Sequence, residues 1–122
     1  MGTNNSLIRE KTFSFAVKIV ELYKALVEIK REFVISKQIL KSGTSIGANV
    51  REAGNAESKS DFIHKLSIAQ KEADETLYWL ELLYVSDYIS KLQYSEYSNN
   101  CNEILKIIRS IILSTKENLK KL

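Results

Sequence analysis

A chain of 122 residues with no proline, four glycines and 44% hydrophobic residues reads as one domain around a single core. So few turn formers exclude an all-β or α/β design. The 27% charged content fits a soluble protein, and no apolar run reaches the roughly 18 residues of a membrane span, so no membrane partner is expected.

The single cysteine, Cys101, rules out an internal disulfide. The polar stretch from Met1 to Glu10 lacks the apolar core of a secretory signal. Both point to the cytoplasm. The net charge of +3 is unevenly spread: residues 57–90 carry three positive and seven negative groups, against fifteen and eight elsewhere. Complementary packing of solvated faces explains this, and so do basic faces that meet a polyanion.

Four helical stretches are separated by short polar breaks. The first is predicted over residues 6–29, with Asn4, Asn5 or Ser6 as its cap. Two stripes run along it at spacings of three and four: Phe13, Ala16, Val20, Tyr23 and Val27, and Ile19, Leu22, Leu26 and Ile29. The second helix is predicted over 34–55. At 100° per residue, Ile39, Gly43, Ile46, Gly47, Val50, Ala53 and Gly54 fall on one side, and Lys37, Lys41, Thr44, Ala48, Arg51 and Asn55 on the other. Each interior glycine costs roughly 0.5–1 kcal/mol relative to alanine, so three of them imply a helix backbone packed closely on that face.

The third helix is predicted over 58–86, opened by a Ser58-to-Asp61 capping pattern. Phe62, Leu66, Ala69, Ala73, Thr76, Leu80 and Leu83 alternate by four and three, a heptad seam suited to near-antiparallel bundle packing. Its end, Leu77 to Val85, is apolar nearly all round, more than one bundle stripe requires. Leu77, Tyr78, Trp79 and Leu82 are therefore expected at a subunit interface. The fourth helix is predicted over 95–121, with Tyr97, Cys101, Ile104, Ile108, Ile111 and Thr115 as its seam and Leu105, Ile112 and Leu119 beside it. Lys120 and Lys121 suit the negative end of its dipole. Short loops make neighbours antiparallel, so the fold class is all-α: an antiparallel up-down-up-down four-helix bundle.

No grouping of side chains supports catalysis, a metal or a cofactor. His64 is the only histidine and is expected on a polar flank of the third helix. Glu72, Asp74 and Glu75 lack the Glu-x-x-His motifs of bundle di-metal sites; they are expected to pair with cations, Arg51 among them. Cys101 lies on an apolar seam as a structural thiol. Gly43-x-x-x-Gly47 lacks the Lys-Ser/Thr and the preceding strand of a phosphate loop. Trp79 and the six tyrosines read as core or interface rather than as a base-stacking platform.

Two runs carry a resemblance. Lys41 to Ala53 (KSGTSIGANVREA) resembles the second-helix signature of the four-helix-bundle family of 23S ribosomal RNA intervening-sequence proteins. Asp61 to Leu83 (DFIHKLSIAQKEADETLYWLELL) resembles its third-helix signature. The family is often labelled S23 ribosomal protein. Many relatives have proline where this chain has Gly47. The resemblance implies an up-and-down bundle assembled as a homopentameric ring, without catalysis. The chain is similar, too, to accessory proteins of diversity-generating retroelements, whose basic barrel binds nucleic acid and a reverse transcriptase.

The leading expectation is a non-enzymatic, homo-oligomeric scaffold that contacts RNA or DNA through basic helix faces. Lys37, Lys41 and Arg51 on the second helix come first, and Lys106, Arg109 and Lys116 on the fourth come second. Such contacts go to phosphates and position without reading sequence. The competing expectation is a module that docks a partner protein, such as a reverse transcriptase, without nucleic acid.

Overall fold

The computed structural model describes residues 3–121, with side chains from Asn5 onward. Its helices are α1 (Thr3–Glu28), α2 (Ile35–Gly54), α3 (Lys59–Val85) and α4 (Lys91–Lys120). Each helix packs on the next and α4 closes onto α1. Among the described residues the backbones of the diagonal pairs, α1 with α3 and α2 with α4, do not come close, so the helices stand at the corners of a square.

Every neighbouring pair runs antiparallel, as the register shows. On α1 and α2, Thr12 faces Gly47 and Ile19 faces Gly43. On α2 and α3, Ser42 meets Thr76 and Glu52 meets Lys65. On α3 and α4, Ala73 meets Cys101 and Tyr84 stacks on Tyr94. On α1 and α4, Lys11 pairs with Glu103 and Lys18 with Glu96.

The heptad seam of α3 is its core face: Leu66, Ala69, Ala73, Thr76, Leu80 and Leu83 are all buried. On α4 the buried set is Tyr97, Ser98, Cys101, Ile104, Leu105, Ile108, Ile111 and Ile112. α1 differs from expectation. Its core stripe is Ile8, Thr12, Phe15, Ile19, Leu22 and Leu26, while Phe13 is 57% exposed and Ile29 74% exposed. Thr12 sits in that stripe because its hydroxyl donates to the Ile8 carbonyl at 2.7 Å, which removes the penalty of burying it.

Two of the three α2 glycines have the expected packing reason. A Cβ on Gly43 would stand 2.8 Å from Ile19 Cγ1, and one on Gly47 would stand 3.3 Å from the Thr12 carbonyl oxygen. Gly54, the last residue of α2, does not: among the described residues nothing lies within 4 Å of its would-be Cβ.

The helix ends also correct the sequence reading. α1 already includes Thr3, so Asn5 and Ser6 lie inside the helix rather than capping it, and the Asn4 side chain lies outside the described residues. α4 starts at Lys91, not Ser95, because Ser90 and Gln93 form a capping box: Gln93 N donates to Ser90 Oγ at 3.1 Å and Ser90 N to Gln93 Oε1 at 2.9 Å. Ser58 caps α3 as expected, accepting from Asp61 N at 3.0 Å.

The start of α2 uses an unforeseen device. Glu32, 8% exposed, folds its carboxylate over the helix end and accepts from the backbone N–H groups of Val34 (3.1 Å), Ile35 (3.0 Å) and Ser36 (2.7 Å). Burial pushes its carboxyl up, but these bonds outweigh burial and hold it below the usual glutamate range.

Candidate nucleic-acid and assembly surfaces

All six cations singled out from the sequence are exposed. On α2, Lys37, Lys41 and Arg51 project on the side away from the buried Ile39, Ile46 and Val50. On α4, Lys106, Arg109 and Lys116 share the outer side, with Lys106 and Arg109 three residues apart. The structure does not bring the two sets together, because α2 and α4 are diagonal. Each set is a separate patch.

Local partners grade the six. Arg109 pairs with Asp74 at 3.7 Å; both side chains are 54% exposed, so the pair only partly offsets the charge. Arg51 is not the partner of the acidic cluster: its guanidinium lies over the Phe13 ring, 5.4 Å from the centroid. Lys41 and Lys71 are the cations that act on Glu72. Burial and Glu75 push the Glu72 carboxyl up, and the two lysines only partly counter this. Among the described residues, Lys37, Lys106 and Lys116 form no ion pair.

The four residues expected at an interface divide. Leu77 and Trp79 pack partly against the bundle's own core. Leu82 is half-buried, and Tyr78 stands out at 58% exposure. The Trp79 indole Nε1 is shielded and has no hydrogen-bond partner among the described residues. The sequence reading missed a second apolar surface. With Ile8, Phe15 and Ile19 taking the core, the stripe that starts at Phe13 is left at the outer α1–α2 seam, where Phe13 and Val17 are exposed. Its signal was present in the sequence, since α1 carries two apolar stripes and a bundle helix needs one.

His64 is exposed on α3, as expected. Cys101 is fully buried, its thiol donating to the Ala73 carbonyl at 3.4 Å, and burial followed by the nearby Asp74 pushes it up to about 12. Among the described residues, no three His, Cys, Asp or Glu side chains are grouped to hold a metal ion. No helix there is long and apolar enough to cross a membrane.

Fold and surface together define an all-α antiparallel four-helix bundle with two separate cationic patches, one of which borders an exposed apolar seam. The chain belongs to the 23S rRNA-intervening sequence protein family, whose profile matches residues 4–110. A solved structure from Bacteroides thetaiotaomicron VPI-5482, a protein of unknown function from the S23 ribosomal protein family, is 55% identical to it. That match covers 90% of this chain and 98% of the other, with a TM-score of 0.90. No curated protein matches.

Proposed function

We propose that the chain is a non-enzymatic, cytoplasmic, homo-oligomeric scaffold that holds RNA or DNA through phosphate contacts on its basic helix faces. The observation that carries this reading is the outer face of α2, where Lys37, Lys41 and Arg51 are all exposed and none is ion-paired among the described residues. Lys41 is drawn only by Glu72 and Arg51 only overlies the Phe13 ring, so phosphate binding on this helix face displaces counterions and breaks no salt bridge among the described residues. The α4 patch, with Arg109 partly engaged by Asp74, is the secondary site. Self-assembly is supported by large apolar side chains left open, Phe13 and Tyr78 among them.

The test is fluorescence anisotropy of labelled RNA and DNA across salt concentration, for the wild type and for the combined Lys37→Gln, Lys41→Gln and Arg51→Gln variant. Three phosphate contacts correspond to a slope of log affinity against log salt of roughly −2 to −3. The variant should bind more weakly and lose about that much slope. Unchanged affinity in the variant would remove this face from the reading. The exposed apolar residues also favour a second reading, a module that docks a partner protein such as a reverse transcriptase; absence of nucleic-acid binding at low salt, with salt-insensitive partner binding, would select it.

A further inference from the structure

We infer that the end of the bundle where α1 and α3 begin and α2 and α4 finish binds a small amphipathic carboxylate of the fatty-acid class. Gly54 carries this inference. It is the last residue of α2, and among the described residues no glycine has a left-handed backbone, so its conformation suits any residue. Glycine weakens a helix. Gly43 and Gly47 are needed for the close approach of α1, but nothing stands within 4 Å of a Cβ built on Gly54. The space that a side chain would take there belongs to a cavity.

Two chambers meet at Gly54. The inner one, about 200 Å³, ends on core side chains: Ile8, Val50, Phe62, Leu66 and Ile111. The outer one, about 530 Å³, shares Ala53, Gly54, Phe62 and Ile111 with it. That volume falls within the roughly 300–1,000 Å³ of small-molecule sites. The α4 wall changes character here. Ile104, Ile108 and Ile111 are buried along the helix, and then Ser114, Thr115 and Asn118 line the outer chamber, with Ser110 beside them. The serine hydroxyls and the Asn118 amide are donors for an acceptor oxygen.

Charge selects the occupant. Lys59 lines the outer chamber and Arg9 the inner one, and among the described residues no carboxylate lines either. Neither cation forms an ion pair there. An apolar floor below donors and a cation fits a molecule with an apolar tail and one anionic head. The tail takes the inner chamber and the carboxylate meets Lys59 and the α4 donors. A wholly apolar ligand would leave these donors unused. A nucleotide would press polar groups onto the apolar floor, which burial disfavours. None of Lys37, Lys41, Arg51, Lys106, Arg109 and Lys116 lines either chamber, so this site is independent of the nucleic-acid reading.

Isothermal titration calorimetry of the full-length chain tests the site, with octanoate as the probe and octanol as its uncharged analogue. The wild type should take one octanoate per chain, bind octanol more weakly, and show a Tm that rises with octanoate. Gly54→Leu builds a side chain into both chambers and should weaken octanoate binding by roughly tenfold or more. Ser114→Leu blocks the outer chamber from an exposed position on α4 and should act alike with the helical content unchanged, so the test survives if Gly54→Leu perturbs folding. Lys59→Gln should weaken octanoate by roughly twofold to fivefold and leave octanol unaffected. No saturable octanoate binding up to millimolar concentration, equal affinity for octanol, or binding that survives both leucine variants would overturn the site.

Discussion

Gly43→Ala sets two opposed effects against each other. Alanine in place of glycine in a helix interior gains about 1 kcal/mol of backbone propensity. The new Cβ, however, would stand 2.8 Å from Cγ1 and 2.9 Å from Cγ2 of Ile19, which is fully buried. Both atoms are bonded to the Ile19 Cβ, and a β-branched side chain in a helix has one strongly preferred rotamer, so neither can swing aside. Relief requires α1 and α2 to move apart, and overpacking of this kind costs about 1–3 kcal/mol. The expected net effect is destabilisation of up to about 2 kcal/mol. For a domain of this size that is a fall in Tm of roughly 3–6 °C per kcal/mol. Urea unfolding followed by far-UV circular dichroism measures it, at fixed protein concentration because self-assembly would shift the midpoint. Ile19→Ala completes the cycle. Alone it costs about 2–5 kcal/mol, but it removes both crowding atoms, so the double variant should lose less than the sum. A Gly43→Ala variant that is stabilised by the propensity gain, with an additive cycle, would refute the close approach of the two helices.

Three further outcomes follow from local geometry. Glu32→Gln removes the charged cap of α2 and should cost about 1–2 kcal/mol near neutral pH. Because the folded-state carboxyl lies below its usual range, its contribution is complete above that range and is lost as pH falls through the lowered value. The variant should lack this acid step in a stability–pH profile, and an unchanged acid limb would contradict the cap. Cys101, buried and pushed up to about 12, should resist alkylation at neutral pH until the protein unfolds, so labelling in native buffer would show that the seam opens. Asp87 ends α3 in the left-handed region (φ 66°), with Tyr88 N donating to the Leu83 carbonyl at 2.9 Å. Asp87→Gly should therefore stabilise by a few tenths to about 1 kcal/mol, seen as a rise in Tm; a fall would assign the Asp87 side chain a role of its own.

Elements with a strict period were legible in the sequence. All six buried residues of α3 belong to its heptad seam, because a seam that keeps step leaves no second choice of face. α1 offered two stripes, and periodicity cannot rank them. Packing against Gly43 and Gly47 selects the one through Ile19 and extends it back to Thr12, which looks polar until its bond to the Ile8 carbonyl is seen. The start of α4 was readable in the Ser90 and Gln93 pair, but the apolar stripe sets in later and drew the boundary inward. Glu32 left no such trace, because a carboxylate that reaches forward from a loop follows no fixed cap spacing. The surface cations were legible as residues. Their division into two patches was not, since it depends on α4 closing against α1 and thereby lying diagonal to α2.

That division limits what one copy can do with nucleic acid. Each patch offers three cations, so one chain on one face of a duplex gives a salt slope of roughly −3 at most. A steeper slope requires several copies to act together. Self-assembly of the kind proposed would repeat each patch and turn weak separate contacts into multivalent ones without adding any contact. A monomeric variant that keeps all six cations separates the two contributions, and Tyr78→Ala, at an exposed apolar position outside both patches, is the first to make. Its affinity should fall sharply and its slope should drop to that of one patch. If monomeric Tyr78→Ala protein binds as tightly and with the same slope as the wild type, each chain acts alone, and any self-assembly serves some purpose other than holding nucleic acid.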